Sequence, residues 1–321
     1  MKEADDPFMR EILRGNRKAV ARLISRVENA GMDGDEILKS VFRHTGKAYR
    51  IGITGPPGAG KSTVTNKLAS LFRSRRERVG IIAVDPTSPF TGGALLGDRV
   101  RMTDVELDDG VFIRSMASRG SSGGLSRKAA EAADVLDAAG FDTILFETVG
   151  VGQSELDIAG AADTTVVVLV PESGDAIQAM KAGLMEIADL FVLNKSDRPG
   201  ADQAVMSIKM ILGFRSHDER TWMADVLKTQ ANEGKGIDEL AAAIDRHKEF
   251  LAKGEGLAER RRERVRNRIR EIVEAKLDTH FWSEERSKEL ERVLARVVVR
   301  DTTPYDVAEE LLTHFTGRMT P

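Results

Sequence analysis

Gly55-Pro56-Pro57-Gly58-Ala59-Gly60-Lys61-Ser62, followed by Thr63, satisfies the pattern G-x-x-x-x-G-K-[ST] at every fixed position. The flanks supply the context that pattern requires. Tyr49 to Thr54 reads as a short buried strand, and Ser62 to Phe72 reads as a helix with Val64, Leu68, Leu71 and Phe72 on one face. Strand, glycine loop and helix start together make a phosphate cradle. Backbone N–H groups point inward there, and the positive end of the helix dipole faces the anion. Lys61 is placed to reach the β- and γ-phosphates, and the Ser62 hydroxyl to ligate Mg²⁺. A chance match in a glycine-rich turn would lack the strand before it and the helix after it. The stretch therefore reads as the nucleotide site of an NTPase.

Composition bounds the rest. A chain of 321 residues can hold one large α/β domain and a smaller appendage. Its 48 basic and 51 acidic residues leave a formal net charge of −3, which gives no global drive toward nucleic acid or an anionic membrane. Cysteine is absent, which removes disulfides, thiolate metal sites and a cysteine nucleophile. Met1 to Arg10 is charged and lacks the apolar core of a signal peptide. The apolar run around Val166 to Val170 is too short to span a bilayer, so no membrane insertion is expected. A soluble cytoplasmic protein is the expectation.

Upstream of the phosphate loop, Phe8, Ile12 and Leu13, then Val20, Leu23, Ile24 and Val27, recur at helical spacing, and a third helical stretch covers Asp35 to Phe42. This region reads as a packing appendage. From Tyr49 onward strands and helices alternate, the mark of a parallel sheet covered on both faces. The expected strands are Val79 to Val84, a short Val111-Phe112-Ile113, Thr143 to Phe146, Thr165 to Val170, Leu190 to Leu193 and Met223 to Thr229. Polar residues stand at the C-terminal ends of several, where open α/β sheets bind ligands. Beyond Phe250, Gly254-Glu255-Gly256 reads as a hinge, and Arg260-Arg261-Arg262-Glu263-Arg264 as a solvated helix face. Apolar stripes follow at Val265, Ile269, Ile272, Val273 and Leu277, and at Leu290, Val293, Leu294, Val297 and Val298, with a last helix from Pro304. The expected organisation is a helical region over 1–47, a P-loop GTPase domain over 48–250 with a mostly parallel central sheet flanked by helices, and a helical arm over 251–321.

Further motifs refine the nucleotide. Asn194-Lys195-Ser196-Asp197 matches N-K-x-D, whose carboxylate can accept two N–H donors from guanine where adenine offers the wrong pattern. GTP and GDP are thus favoured over adenine nucleotides. Thr229-Gln230-Ala231-Asn232 ends the next strand, where a backbone amide can meet guanine O6. Glu147-Thr148-Val149-Gly150 occupies the place of the D-x-x-G switch, with glutamate for aspartate. Glu147 can hold Mg²⁺ directly or through water, and the Gly150 amide can meet the γ-phosphate. The next residue is Val151, not the water-orienting glutamine of fast small GTPases, which implies slow intrinsic hydrolysis that a partner stimulates. Asp85 and Asp98, in the Pro- and Gly-rich stretch after the second strand, are candidate outer-sphere Mg²⁺ holders in a segment suited to change shape with the γ-phosphate.

Taken together these residues resemble the MeaB/ArgK family of GTPases. The resemblance is carried by Gly55 to Thr63, Val84-Asp85-Pro86-Thr87-Ser88, Thr91-Gly92-Gly93 with Leu96-Gly97-Asp98, Ser118-Arg119-Gly120, Asn194 to Asp197 and, most specifically, Glu147 to Glu155. It implies a chaperone of an adenosylcobalamin-dependent acyl-CoA mutase, methylmalonyl-CoA mutase first, in which GTP binding and hydrolysis gate cofactor loading and protect or reactivate the mutase. It also implies an additional switch at Gly174 to Lys181, where Asp175, Gln178 and Lys181 would relay nucleotide state, and a homodimer formed through the C-terminal helices. Two other readings stay open: a nickel or cobalt insertion GTPase, and an ArgK-type transport-associated ATPase or kinase. The five scattered histidines and absent cysteine weigh against the first, and Asn194 with Asp197 against the second.

Overall fold

The computed structural model describes residues 6–29, 35–86, 105, 107–118, 127–148, 154–171, 183–214 and 221–316. Among them a seven-stranded sheet has the order β3-β2-β4-β1-β5-β6-β7, and every neighbouring pair runs parallel. The strands are β1 (Tyr49–Thr54), β2 (Val79–Pro86), β3 (Val111–Ser118), β4 (Thr143–Thr148), β5 (Thr164–Leu169), β6 (Leu190–Leu193) and β7 (Asp225–Lys228). β3 runs further than its apolar start suggests. Arg114 breaks the apolar run, yet it is held by Glu28 and Ser25 on a neighbouring helix, so the strand continues past it. β7 is shorter than expected.

Alternation along the strands explains the two covered faces. In β5, Val166 and Val168 join Ile51, Ile53, Val64, Leu68 and Phe72 in the core beneath α4 (Lys61–Ser74). Val167 and Leu169 face the other way and pack with Phe191, Leu193 and Leu212. A strand buried on both faces reads as a continuous apolar run, which is why Thr164 to Leu169 has no polar alternation. Helix α5 (Arg127–Ala138) covers β2 and β4, and its Ala129, Ala132 and Ala133 leave room for a further helical layer. That layer is α1 (Pro7–Leu13), α2 (Arg17–Asn29) and α3 (Asp35–Phe42), with Val20, Leu23, Ile24 and Val27 buried against α5. The N-terminal helices thus share one continuous core with the sheet.

After β4 come α6 (Ser154–Ala161), α7 (Leu184–Ile187), α8 (Ala201–Gly213), α9 (Ile237–Lys253), α10 (Gly256–Phe281), α11 (Glu284–Val298) and α12 (Pro304–Thr316). One helix ends at Lys253 and the next begins at Gly256. By compactness the chain divides into one unit through Arg264 and another from Val265. Within the second unit, Phe281 and Phe315 meet edge-on at 5.3 Å, and the Arg286 guanidinium lies 4.8 Å from the Phe315 ring centre. Val307 and Leu311 are buried there, while Ile269, Val273, Leu277 and Leu312 stand exposed. No helix among the described residues is long and apolar enough to cross a membrane.

The arginine cluster at the start of α10 corrects a sequence expectation. Arg262 does face solvent beside Glu259, but its neighbours turn inward to the N-terminal ends of the strands. Arg260 makes a two-pronged ion pair with Asp189 at 2.6 and 2.8 Å, and Arg264 and Arg261 approach Asp163 at 3.2 and 3.5 Å. Nearby, Arg50 pairs with Asp134 at 2.7 Å and lies 3.7 Å from Asp137. Asp137 also accepts the amides of Gly46, Lys47 and Ala48, and Asp163 that of Arg50. Four arginines meet four aspartates in this network, so buried charge is balanced. His247 sits among them with 0 % exposure, its Nδ1 2.8 Å from the Thr164 hydroxyl, which in turn meets Tyr49. Burial pushes the His247 imidazole down to about 4 and the Tyr49 phenol upward, so both stay neutral at physiological pH.

Candidate functional site

The phosphate loop leaves β1 at Thr54 and enters α4 at Lys61. Two of its glycines are forced by close approach. Gly55 has φ +137°, and a Cβ there would stand 2.1 Å from the Val168 carbonyl oxygen. Gly60, with φ +89°, caps α4, and a Cβ there would stand 2.4 Å from the Asn194 amide nitrogen. The loop is therefore seated against β5 and β6, with the N-terminus of a 14-residue helix at its end. Lys61 is buried, and its ammonium donates to the carbonyls of Gly55 at 2.7 Å and Pro56 at 2.9 Å. A cation is thus held at the helix start before any phosphate arrives. Ala59 is buried under the loop, while Pro57 and Gly58 face outward.

The Ser62 hydroxyl donates to Glu147 Oε1, joining the first turn of α4 to the end of β4. Glu147 is 2 % exposed. A hydroxyl and a carboxylate side by side at a helix N-terminus are hard oxygen donors of the kind Mg²⁺ takes together with nucleotide phosphates. The donor set fits the ion. The glutamate arm spans from the end of β4 to the Ser62 hydroxyl.

At the other end of the site the sequence-predicted residues divide their labour in a way the motif alone does not reveal. Asn194 uses its side chain as a staple: Nδ2 donates to the Ala59 carbonyl at 2.9 Å, and Oδ1 accepts from the Thr229 hydroxyl at 3.0 Å and the Ala231 amide at 3.1 Å. It ties the phosphate loop to the segment after β7. The Ala231 amide is consequently directed at Asn194 rather than outward. Lys195 holds φ +54°, a strained conformation for a side-chain-bearing residue, and its ammonium donates to the Gly58 carbonyl at 2.7 Å. Asp197 is exposed, its carboxylate on the cavity wall.

A single cavity of about 510 Å³ joins the two ends. It is lined by Gly58, Gly60, Lys61, Ser62, Thr63 and Glu147 at the phosphate end, and by Asn194, Lys195, Asp197, Gln230, Ala231 and Asn232 at the base end. That volume lies in the range of nucleotide-sized sites. Glu233 lines it too and was not anticipated. Its signal was available in its place on the short 3-10 turn Ala231–Glu233, directly after the predicted base loop. The backbone of Asp85 lies in β2 one residue before its end and two residues beyond Ala83, the register partner of Glu147, but its side chain lies outside the described residues. Asp98, Gly150, Asp175, Gln178 and Lys181 lie outside them as well.

Comparison with known proteins places this architecture. The family model described as methylmalonyl Co-A mutase-associated GTPase MeaB matches residues 20–286. A GTPase homologue from Pyrococcus abyssi is 47% identical over 314 residues, covering 97% of both chains. The GTPase ArgK of Escherichia coli K12 is 35% identical over 286 residues, covering 86% of both. The mitochondrial methylmalonic aciduria type A homolog of Mus musculus is 33% identical over 333 residues, covering 96% of this chain and 78% of its own. Among solved structures, the crystal structure of LAO/AO transport system kinase aligns with a TM-score of 0.74 at 28% identity, covering 96% of each chain.

Proposed function

The chain belongs to the MeaB family of GTPases, and from that premise we propose that it is a chaperone of an adenosylcobalamin-dependent acyl-CoA mutase, methylmalonyl-CoA mutase being the first candidate. GTP hydrolysis would gate cofactor loading and protect or reactivate the mutase. The observation that carries the GTP half is the single cavity holding Lys61, Ser62 and Glu147 at one end and Asp197 at the other. The mutase half is supported by the family description and by the mouse relative's name.

In this reading the loop amides and the α4 N-terminus receive the phosphates, and Lys61 exchanges its carbonyl partners for phosphate oxygens. Ser62 and Glu147 would hold Mg²⁺, with Asp85 and Asp98 assisting, and the bound ion would supply charge neutralisation at the phosphates. Asp197 reads the guanine edge, and Lys195 covers the base pocket while tethered to Gly58. The Gly150 amide meets the γ-phosphate. With Val151 next to it, hydrolysis is slow until the partner acts. Asp175, Gln178 and Lys181 relay nucleotide state to the mutase. The exposed stripe Ile269, Val273 and Leu277 supplies an apolar surface for homodimer formation, and the cytoplasm is the compartment assigned to the complex.

The test is GTP turnover by the purified chain alone and with the cobalamin-dependent acyl-CoA mutases of its source. Slow turnover alone and clear stimulation by one mutase are expected. Turnover that no such mutase changes would end the chaperone reading while leaving the GTPase.

A further inference from the structure

One buried polar contact lies between the strands that carry the site. β1 and β4 run in parallel register with Ile53 opposite Glu147, so Thr54 and Thr148 occupy the next rung. The register continues outward to Val84 on β2, opposite Thr148, and to Val167 on β5, opposite Thr54. A row across four strands therefore reads Val84, Thr148, Thr54, Val167. All four are buried, both threonines with 0 % exposure, and the Thr148 hydroxyl donates to the Thr54 hydroxyl at 3.0 Å.

Valine has the same shape as threonine, and valine is what the row uses on either side. Two hydroxyls buried there lose hydration and recover it only through hydrogen bonding. What a hydroxyl pair adds is direction: it fixes both side-chain rotamers and the lateral spacing of two strand ends. Those ends matter. Thr54 is followed by Gly55, the first residue of the phosphate loop, and Thr148 is preceded by Glu147, whose carboxylate meets Ser62 on the opposite face of β4. Any slip of β4 against β1 would move Glu147 relative to Ser62.

We propose that the Thr54–Thr148 hydroxyl pair is a positioning device that sets the Glu147 carboxylate against the Ser62 hydroxyl for Mg²⁺–nucleotide binding. It rests on the reading of that pair as the metal site. Neither threonine is among the residues lining the cavity; both act through Glu147.

The experiment uses the full chain with a fluorescent GDP analogue, following its release as Mg²⁺ is titrated, and thermal unfolding without nucleotide. For the double variant Thr54→Val/Thr148→Val, a cooperative unfolding transition shows that the chain still folds. The Mg²⁺ concentration that half-maximally slows GDP release rises about five- to tenfold, the order of effect expected from a sub-ångström misplacement. Thr148→Ser, which keeps the hydroxyl, stays within about twofold of wild type. The double variant is decisive, because either single change strands a buried hydroxyl and can lower stability by itself. A wild-type Mg²⁺ midpoint in the double variant would overturn the proposal, whatever its unfolding temperature. GDP release from the wild-type chain that ignores Mg²⁺ would instead remove the metal assignment, and this inference with it.

Discussion

At the C-terminal ends of β1, β4 and β6, charged side chains line a cavity; at the N-terminal ends of β1, β5 and β6, charged side chains close on one another. In the first set Lys61 and Lys195 donate to phosphate-loop carbonyls, Glu147 accepts from the Ser62 hydroxyl, and Asp197 stands exposed on the cavity wall. In the second set, Arg50, Arg260, Arg261 and Arg264 are matched by Asp134, Asp137, Asp163 and Asp189, and the aspartates also cap strand and loop amides. Substitution at the cavity end is therefore expected to change binding with little effect on folding. Substitution at the closed end is expected to do the reverse. Buried charge marks function only where its partners can be exchanged.

Breaking the open end gives the largest effect. Lys61→Ala removes the ammonium that phosphate oxygens would take over, and GTP affinity falls by about 100-fold or more, roughly 3–4 kcal/mol, on the scale of losing one preorganised donor. The unfolding temperature without nucleotide moves little, and calorimetric titration beside thermal unfolding checks both. Breaking the closed end comes next. Asp189→Asn leaves Arg260 without its carboxylate, and stability falls by about 2–3 kcal/mol, below the full cost for a buried pair because Arg260 is partly exposed. Denaturant unfolding measures that loss, with GTP affinity unchanged within about twofold.

Two smaller effects sharpen the contrast. Asp197→Asn removes a charge that accepts from the guanine edge, and GTP binding weakens by about 30-fold, or 2 kcal/mol, with xanthosine triphosphate gaining ground. Competition binding among GTP, XTP and ATP reads this directly. His247 makes the closed end sensitive to acid. Its folded value of about 4 lies below the unfolded value near 6.5, so between those limits the unfolded chain binds the extra proton. Its contribution is present above pH 6.5 and is lost as pH falls toward 4. About 1–2 kcal/mol of stability disappears between pH 7 and pH 5, and His247→Gln flattens that limb of the stability curve.

The open end was legible in the sequence because its chemistry sits in runs of neighbouring residues. The stretches Gly55 to Thr63 and Asn194 to Asp197 each bring residues of the cavity wall from near-consecutive positions. The places of the strands along the chain followed from apolar runs, while their order in the sheet did not, and the length of β3 was misjudged where a tertiary contact holds Arg114. The closed end was not legible. Arg260 and Asp189 are far apart in the chain, and nothing in either neighbourhood announces the pairing, so the arginine run looked like a solvated face. Asn194 shows the same limit inside a recognised motif. Its type and position were read, but its bonds to Ala59, Thr229 and Ala231 appear only once three separate segments converge.

The proposed role of the cavity between Lys61 and Asp197 as a guanine nucleotide site stands or falls on one binding experiment. Equilibrium titration of the purified wild-type chain with GTP and ATP, in the presence of Mg²⁺, tests it most directly. Saturable binding of one GTP per chain, with ATP at least about 100-fold weaker, is the predicted result. Equal affinity for the two nucleotides, or binding of neither, would contradict it.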